Sequence, residues 1–92
     1  MNRIIFRKEA EADLRDIISY YENVAPASIG NILSDIYRSI DQLVHFPHLG
    51  TQVEDRVYRR VVTQKYHFKV AYEIREDGIV ILGIFRYQDR VV

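Results

Sequence analysis

The stretch that decides the fold is residues 56–86, RVYRRVVTQKYHFKVAYEIREDGIVILGIFR. It contains three runs that are typical of β-strands. Residues 57–62 are rich in β-branched side chains, residues 67–74 alternate between apolar and other side chains, and residues 79–85 are almost continuously apolar. Alternation is the period of a strand with two different faces, whereas a continuous apolar run is typical of a strand covered on both sides. We therefore expect the last run to form a central strand.

Asp77 and Gly78 lie between the last two runs and predict a tight hairpin, because a type I′ turn needs a positive φ at both central residues. With these two residues as the loop, Glu76 pairs with Ile79 and Lys69 pairs with Arg86, and opposed residues share a sheet face. One face then carries the apolar set Phe68, Val70, Tyr72, Ile74, Ile81 and Phe85. The other face carries His67, Lys69, Ala71, Glu73, Leu82, Ile84 and Arg86.

The register of the preceding strand depends on the loop near residues 63–66. An even number of loop residues places Arg60 opposite Lys69, whereas an odd number sends Arg60 to the other side of the sheet. For an even loop, the sequence indicates a basic cluster of Arg60, Lys69 and Arg86 on one sheet face.

The N-terminal half reads as one short strand followed by two helices. Residues 3–8 alternate as a strand does, and residues 9–23 and 26–44 carry apolar side chains at helical spacing. The break at Pro26 is so short that the two helices are expected to form an antiparallel hairpin. Residues 51–55 are polar and are expected to form a loop. The predicted element order is β-α-α-β-β-β, with the first strand added at the far edge of the central one.

Composition limits the class of protein. A chain of 92 residues with 48% apolar content predicts one domain, residues 1–92, with a single modest core. The absence of cysteine excludes disulfides and thiolate zinc sites, and no apolar run approaches the length of a membrane span. His45 and His48 have no third ligand near them in the sequence, so we predict neither a metal nor a cofactor. These features fit a cytoplasmic protein.

The formal net charge of zero conceals a division along the chain. Residues 9–44 carry seven acids and two bases, whereas residues 56–75 carry six bases and one acid. Such a division either marks a basic surface for an anionic partner or simply keeps the helix and sheet faces solvated.

Four segments in order along the chain carry a family pattern: ADLRDIISYY (residues 12–21), FPHLG (46–50), YRRVVTQKYHFKVAY (58–72) and VILGIFR (80–86). Together they resemble the RelE/ParE superfamily of toxins from bacterial type II toxin–antitoxin modules, and the ParE branch more closely. The resemblance implies an α+β fold in which a helical hairpin packs on one face of a small twisted, mainly antiparallel sheet. It also implies growth arrest or plasmid stabilisation as the outcome, and a heteromeric complex with a cognate antitoxin, ParD-like or another small antitoxin.

Two activities occur in this superfamily. ParE-like toxins inhibit DNA gyrase and so replication, whereas RelE-like toxins cut messenger RNA on the ribosome. We favour gyrase inhibition, which needs a binding surface rather than a catalytic site, and Val62 stands where an RNA-cleaving relative would carry a further basic residue. In the alternative, an endoribonuclease, the resemblance gives as candidate catalytic residues Arg60, Lys69, Arg86, Tyr87 and His67.

The resemblance also indicates where partners would bind. For gyrase, the candidate contacts are Arg60, Lys69, Arg86 and Arg90. For the antitoxin, they are Tyr20, Ile32 and Tyr37. A third hypothesis is a non-toxic interaction module, in which the basic residues solvate the sheet or pair with an acidic antitoxin tail.

Overall fold

The computed structural model describes residues 3–86, so that Tyr87 and Arg90 lie outside the described residues. The elements in chain order are β1 (Ile4–Phe6), α1 (Lys8–Val24), a 3₁₀ turn (Pro26–Ser28), α2 (Ile29–His45), β2 (Thr51–Gln52), β3 (Arg59–Val62), β4 (Lys69–Arg75) and β5 (Gly78–Phe85). Neither helix has the length and apolar character that crossing a membrane would require.

The five strands form one sheet in the order β1-β5-β4-β3-β2. β1 pairs with β5 in parallel, and the other three pairs are antiparallel. The α+β prediction is therefore confirmed, with β5 inside the sheet and β1 at its far edge. The two-residue strand β2 was not predicted, because its side chains are polar and exposed and carry no alternation.

The two helices pack on one face of the sheet and close the core. α2 contributes buried residues at helical spacing because its apolar stripe faces the sheet, and burying each large aliphatic side chain contributes about 1.5–3 kcal/mol. The core cluster comprises Ala10, Ile17, Ile32, Ile36, Ile40, Leu43, Phe68, Val70, Tyr72, Ile79, Ile81 and Ile84. We call the opposite side of the sheet the open face.

The turn between β4 and β5 lies one residue earlier than predicted. Glu76 and Asp77 form the loop, and Ile79 pairs with Ile74 rather than with Glu76. The pairing partner of each β5 residue near the turn therefore moves by two positions along β4, and an even shift keeps the side chains on their predicted faces. Gly78 lies in β5 rather than in the loop. Glycine is needed there because a Cβ would lie 2.6 Å from the carbonyl oxygen of Arg3.

A β-bulge in β5 then changes which side chains share a face. The pairing with β4 shifts by one residue, and Leu82 is the extra residue. Beyond the bulge, Lys69 pairs with Phe85 instead of Arg86. The predicted faces are therefore wrong at this end of the strand: Ile84 is in the core, 2% exposed, whereas Phe85 lies on the open face and is 49% exposed.

The connection between β3 and β4 follows the even alternative. Val62 pairs with Lys69, and Arg60 pairs with Ala71. Arg60 therefore shares the open face with Lys69 as predicted, but it is a diagonal neighbour rather than a directly opposed one.

Asp35 of α2 holds this connection from the core side. Its carboxylate, buried in the fold, accepts hydrogen bonds from the backbone N–H groups of Lys65 at 3.1 Å and Tyr66 at 2.8 Å. The Thr63 hydroxyl also hydrogen-bonds to it and accepts a bond from the N–H of Phe68 at 2.8 Å. One buried side chain thus satisfies several backbone groups of a loop that forms no ladder of its own.

Tyr72 of β4 holds the segment that follows α2. Its hydroxyl donates to the carbonyl oxygen of Pro47 at 2.7 Å and accepts from the N–H of Gly50 at 2.9 Å. Arg59 donates to the carbonyl oxygen of Gly50 at 2.7 Å. The backbone comes so close here that a Cβ on Gly50 would lie 2.7 Å from the carbonyl oxygen of Arg60. Burial raises the pKa of Tyr72, although the Gly50 N–H and the Arg59 charge oppose that rise, so the hydroxyl stays neutral.

Asp13 of α1 completes the edge of β5. β1 pairs with β5 only as far as Ile81, and α1 takes its place beyond that point. There Asp13 Oδ2 accepts a hydrogen bond from the N–H of Ile84 at 3.0 Å. The helix therefore satisfies a backbone donor that the short edge strand leaves without a partner strand.

Candidate functional site

A cleft of about 470 Å³ lies on the open face and crosses several strands. Its floor is formed by Ala71 and Gly83, the two smallest residues of the cleft, which pair across β4 and β5. Larger side chains stand around this floor, and they are Arg7, Tyr58, Arg60, Lys69, Leu82 and Phe85. We call this site the open-face cleft.

The open-face cleft is positively charged. Arg7, Arg60 and Lys69 line it, and no carboxylate is among its described lining residues. The carboxylate of Asp13 comes close to the floor, since its Oδ2 would lie 3.2 Å from a Cβ on Gly83, and there it accepts the hydrogen bond from the N–H of Ile84. Arg7 has an ion pair with Glu9 at 3.3 Å, but both side chains are well exposed, and such surface pairs contribute about 1 kcal/mol or less. The cleft can therefore attract an anionic group.

The structure divides the predicted basic cluster. Arg60 and Lys69 line the open-face cleft, as the sequence indicated. Arg86 instead places its guanidinium 4.0 Å from the ring centroid of Tyr20, in a cavity beside α1 that Asp16 also lines. The cause is the bulge at Leu82, which shifts the end of β5 by one residue relative to β4.

Arg7 takes the third basic position in the cleft, and sequence reasoning missed it. The signal was present in the sequence. Ile4 and Phe6 face the core, and Arg7, which directly follows β1, continues the alternation and so faces the open side of the sheet. The sequence predicted β1 beside the central strand, but it does not reveal the register that brings Arg7 to the cleft.

His67 does not line the open-face cleft. It lies outside the strands, in the connection between β3 and β4, with a φ of 61°. The prediction that His67 is a strand residue on the second face is therefore wrong. A positive φ is uncommon for a residue with a side chain, and the alternating pattern of the sequence gave no sign of it.

Cleavage of RNA by its own 2′-hydroxyl needs a base, an acid and cations that stabilise the charged phosphorane. Among residues 3–86, the open-face cleft contains cations and the phenol of Tyr58, but no imidazole or carboxylate. Val62, which pairs with Lys69, adds an apolar side chain where a further cation would be useful. The arrangement is suited to binding an anion rather than to moving protons.

The three residues predicted to contact an antitoxin do not form one surface. Ile32 is 1% exposed and belongs to the core, so its predicted contact role is wrong. Tyr20 and Tyr37 are 43% and 42% exposed. They line different cavities: Tyr20 lies beside the end of β5, whereas Tyr37 lies beside Phe6 and the other flank of α1.

No cluster of three or more His, Cys, Asp or Glu side chains within the described part of the chain could hold a metal ion. Residues 4–90 match the family model described as "ParE toxin of type II toxin-antitoxin system, parDE". The chain belongs to the ParE toxin family.

A solved structure gives the same fold for this ParE toxin. The chain is similar to one in the "Chromosomal ParDE TA system from P. aeruginosa", with a TM-score of 0.79 and 24% sequence identity. The similarity covers 94% of this chain and 96% of that one. No curated protein matches the chain.

The family-like segments of this ParE toxin carry its long-range anchors. The first segment supplies Asp13, which caps the edge of β5. The second supplies Pro47 and Gly50, which the hydroxyl of Tyr72 holds, and Tyr72 itself ends the third. The pattern that indicates the family therefore holds the fold together, and it does not by itself define a catalytic site.

Proposed function

We propose that this ParE toxin inhibits DNA gyrase and so blocks replication, and that a cognate antitoxin neutralises it. Membership of the ParE family supports the toxin role. The observation that favours gyrase over messenger RNA as the target is the open-face cleft, whose described residues include cations but no imidazole or carboxylate. Losing even one group that stabilises the transition state costs on the order of a hundredfold in rate. Action on gyrase would place the protein in the cytoplasm.

The test is a supercoiling and cleavage assay with purified gyrase, run beside a ribosome-dependent mRNA cleavage assay. We expect loss of supercoiling or trapped DNA breaks, together with intact mRNA, because binding to gyrase needs no proton-transfer groups. Addition of the antitoxin should restore supercoiling. Cut mRNA with unaffected gyrase would instead establish the endoribonuclease alternative, and no effect in either assay would support a non-toxic interaction module.

The contacts with gyrase are proposed to come from basic residues near the open face and the end of β5. Arg60 lines the cleft and is exposed, and Arg86 lies beside Tyr20 at the end of the sheet. Lys69 and Arg90 complete the proposed set. Arg60 lines the cleft on the open face and Arg86 lies in the cavity beside α1, so a target would have to contact both places.

The antitoxin is proposed to contact Tyr20 and Tyr37 on the two flanks of α1. Half-exposed aromatic rings become strong contributors to binding once a partner covers them. We expect Tyr20→Ala and Tyr37→Ala each to weaken antitoxin binding by about 30-fold, which corresponds to about 2 kcal/mol. Calorimetric titration would measure the Kd, with Val57→Ala as the control because Val57 is exposed in the loop before β3. An unchanged Kd in both tyrosine variants would exclude both flanks of α1 as antitoxin contacts.

A further inference from the structure

We propose that the open-face cleft binds single-stranded nucleic acid and leaves it uncut. The cleft combines three cations with two aromatic rings, Tyr58 and Phe85, around a floor almost without side chains. Proteins that bind single strands combine these two elements, a positively charged groove for the backbone and aromatic rings on which bases stack. The proposal requires no gyrase, although two of its cations, Arg60 and Lys69, also belong to the proposed gyrase contacts.

Phe85 is the residue on which a base would stack. Its ring lies against the backbone of Gly83, since a Cβ on Gly83 would come within 2.7 Å of Phe85 Cζ. The residue nevertheless remains half-exposed on the open face. A ring supported on one side and open on the other is available for stacking without rearrangement. In the free protein this exposed apolar ring is in contact with water, which is unfavourable, and a stacked base would cover it.

The cations are placed to hold the phosphates on either side of such a base. Lys69 pairs directly with Phe85 across β4 and β5, and Arg60 is the diagonal neighbour of Lys69 on β3. Arg7 reaches the cleft from the end of β1. Cationic side chains therefore stand on both sides of the small-residue floor, along a line that crosses the strands.

The geometry favours a single strand over a duplex. In a duplex the bases are stacked on one another and cannot reach a ring beside the cleft floor, so only the phosphates would make contact. A cleft of about 470 Å³ has the volume of a small-ligand site, and it would hold about one nucleotide unit. An acidic peptide could pair with the cations, but its carboxylates would make no use of the two rings. DNA and RNA single strands share the required chemistry.

The bound strand is expected to stay intact. Within residues 3–86, no imidazole lines the cleft. The carboxylate beside its floor, Asp13 Oδ2, would lie 3.2 Å from a Cβ on Gly83, but it already accepts a hydrogen bond from the N–H of Ile84 and is held as a structural group rather than as a base for a 2′-hydroxyl. Binding without cleavage separates this proposal from an endoribonuclease.

The experiment is fluorescence anisotropy on the whole chain with labelled oligomers of about 12 nucleotides, which extend beyond the nucleotide held in the cleft and lie within the usual range of single-strand site sizes. The probes are oligo-dT, oligo-U and a duplex of equal length, and the competitor is polyglutamate of equal charge. We expect the single strands to bind at least about tenfold more tightly than the duplex. A plot of log K against log salt should have a slope of about −2, because three cations each contribute about −0.7. The relative Kd values of oligo-dT and oligo-U identify the natural class of strand.

Variants separate stacking from charge. Phe85→Leu is expected to weaken single-strand binding about tenfold with an unchanged salt slope, and Tyr58→Leu provides a second test of stacking. Arg60→Gln should make the slope less steep by about 0.7. Phe46→Leu and Arg38→Gln are the matched controls, since both residues are exposed and lie outside the cleft. Thermal melting confirms that each variant is folded.

Three results would overturn the proposal. Equal binding of duplex and single strand, with no effect of either aromatic variant, would mean simple attraction of charge. Displacement of the oligomers by polyglutamate at equal charge would assign the cleft to an acidic peptide. Shortened oligomers on a denaturing gel would mean that the cleft cuts what it binds. A negative gyrase assay changes none of these readings, because gyrase is not in the mixture.

Discussion

Asp35→Asn is expected to lower the free energy of unfolding by about 3 kcal/mol, because the carboxylate makes several hydrogen bonds of the charged kind. It accepts from the N–H groups of Lys65 and Tyr66 at 3.1 and 2.8 Å and is almost completely buried. The amide of asparagine has one oxygen, and its NH₂ group would face a donor. At least one of these N–H groups would then lose its partner.

Urea unfolding followed by circular dichroism would measure this loss. Asp41→Asn is the matched control, since Asp41 lies on the same helix and is exposed. We expect the control to change the free energy of unfolding by no more than about 0.5 kcal/mol. A loss of less than about 1 kcal/mol in Asp35→Asn would show that the loop between β3 and β4 does not depend on this carboxylate.

The loss of unfolding free energy in Asp35→Asn is expected to depend on pH. Burial alone would raise the pKa of the Asp35 carboxyl, but the Tyr66 N–H, the Thr63 hydroxyl and the Lys65 N–H and charge together lower it below its ordinary value of 3.8. A lowered pKa in the folded state contributes stability above the unfolded pKa, and this contribution is lost as the pH falls through the folded pKa. The difference between the parent chain and Asp35→Asn should therefore be constant near neutral pH and shrink below pH 3.8.

Tyr72→Phe is expected to cost about 2–4 kcal/mol, because it removes one hydroxyl that satisfies two backbone groups. The carbonyl of Pro47 loses its donor and the N–H of Gly50 loses its acceptor. The phenyl ring keeps the apolar packing of a fully buried side chain, so the loss reports the hydrogen bonds rather than a cavity.

Two measurements test this variant. Urea unfolding gives the free energy, with Tyr66→Phe as the control because Tyr66 is exposed. Amide hydrogen exchange at Gly50 should become faster in Tyr72→Phe even under conditions where the core strands remain protected. Unchanged exchange at Gly50 would mean that Arg59, which holds the carbonyl of Gly50 at 2.7 Å, is sufficient to fix the segment.

The fold could be predicted from the sequence because its main signals are periodic. The apolar stripe of α2 has the spacing of a helix, and the continuous apolar run of β5 is typical of a strand covered on both sides. Both elements were placed correctly. The bulge carried no such signal. The extra residue, Leu82, lies within an almost continuously apolar run, so it changes no visible pattern. The misplacement of Arg86 and Phe85 follows from that one residue.

The candidate site was only partly predictable for a related reason. Arg60 and Lys69 lie on neighbouring strands joined by a short connection, so their shared face followed from counting residues. Arg7 reaches the same cleft through the register of the parallel pairing of β1 with β5, which no short-range pattern encodes. The side chains that hold backbone groups from far along the chain, such as Asp13 and Asp35, are also invisible to periodicity, because each is a single polar residue on a helix.

The pairing of β1 with β5 also sets the order in which a newly made chain can fold. Ile4 pairs with Ile79, so the first strand must wait on the ribosome until nearly all of the described chain has been synthesised. Closing so long a loop makes non-local contacts slow to form. The apolar faces of both helices stay uncovered during that time, since the core needs residues of β5. A chain interrupted before β5 would expose the apolar faces of its helices with no complete sheet to cover them, and such fragments are targets for chaperones and proteases.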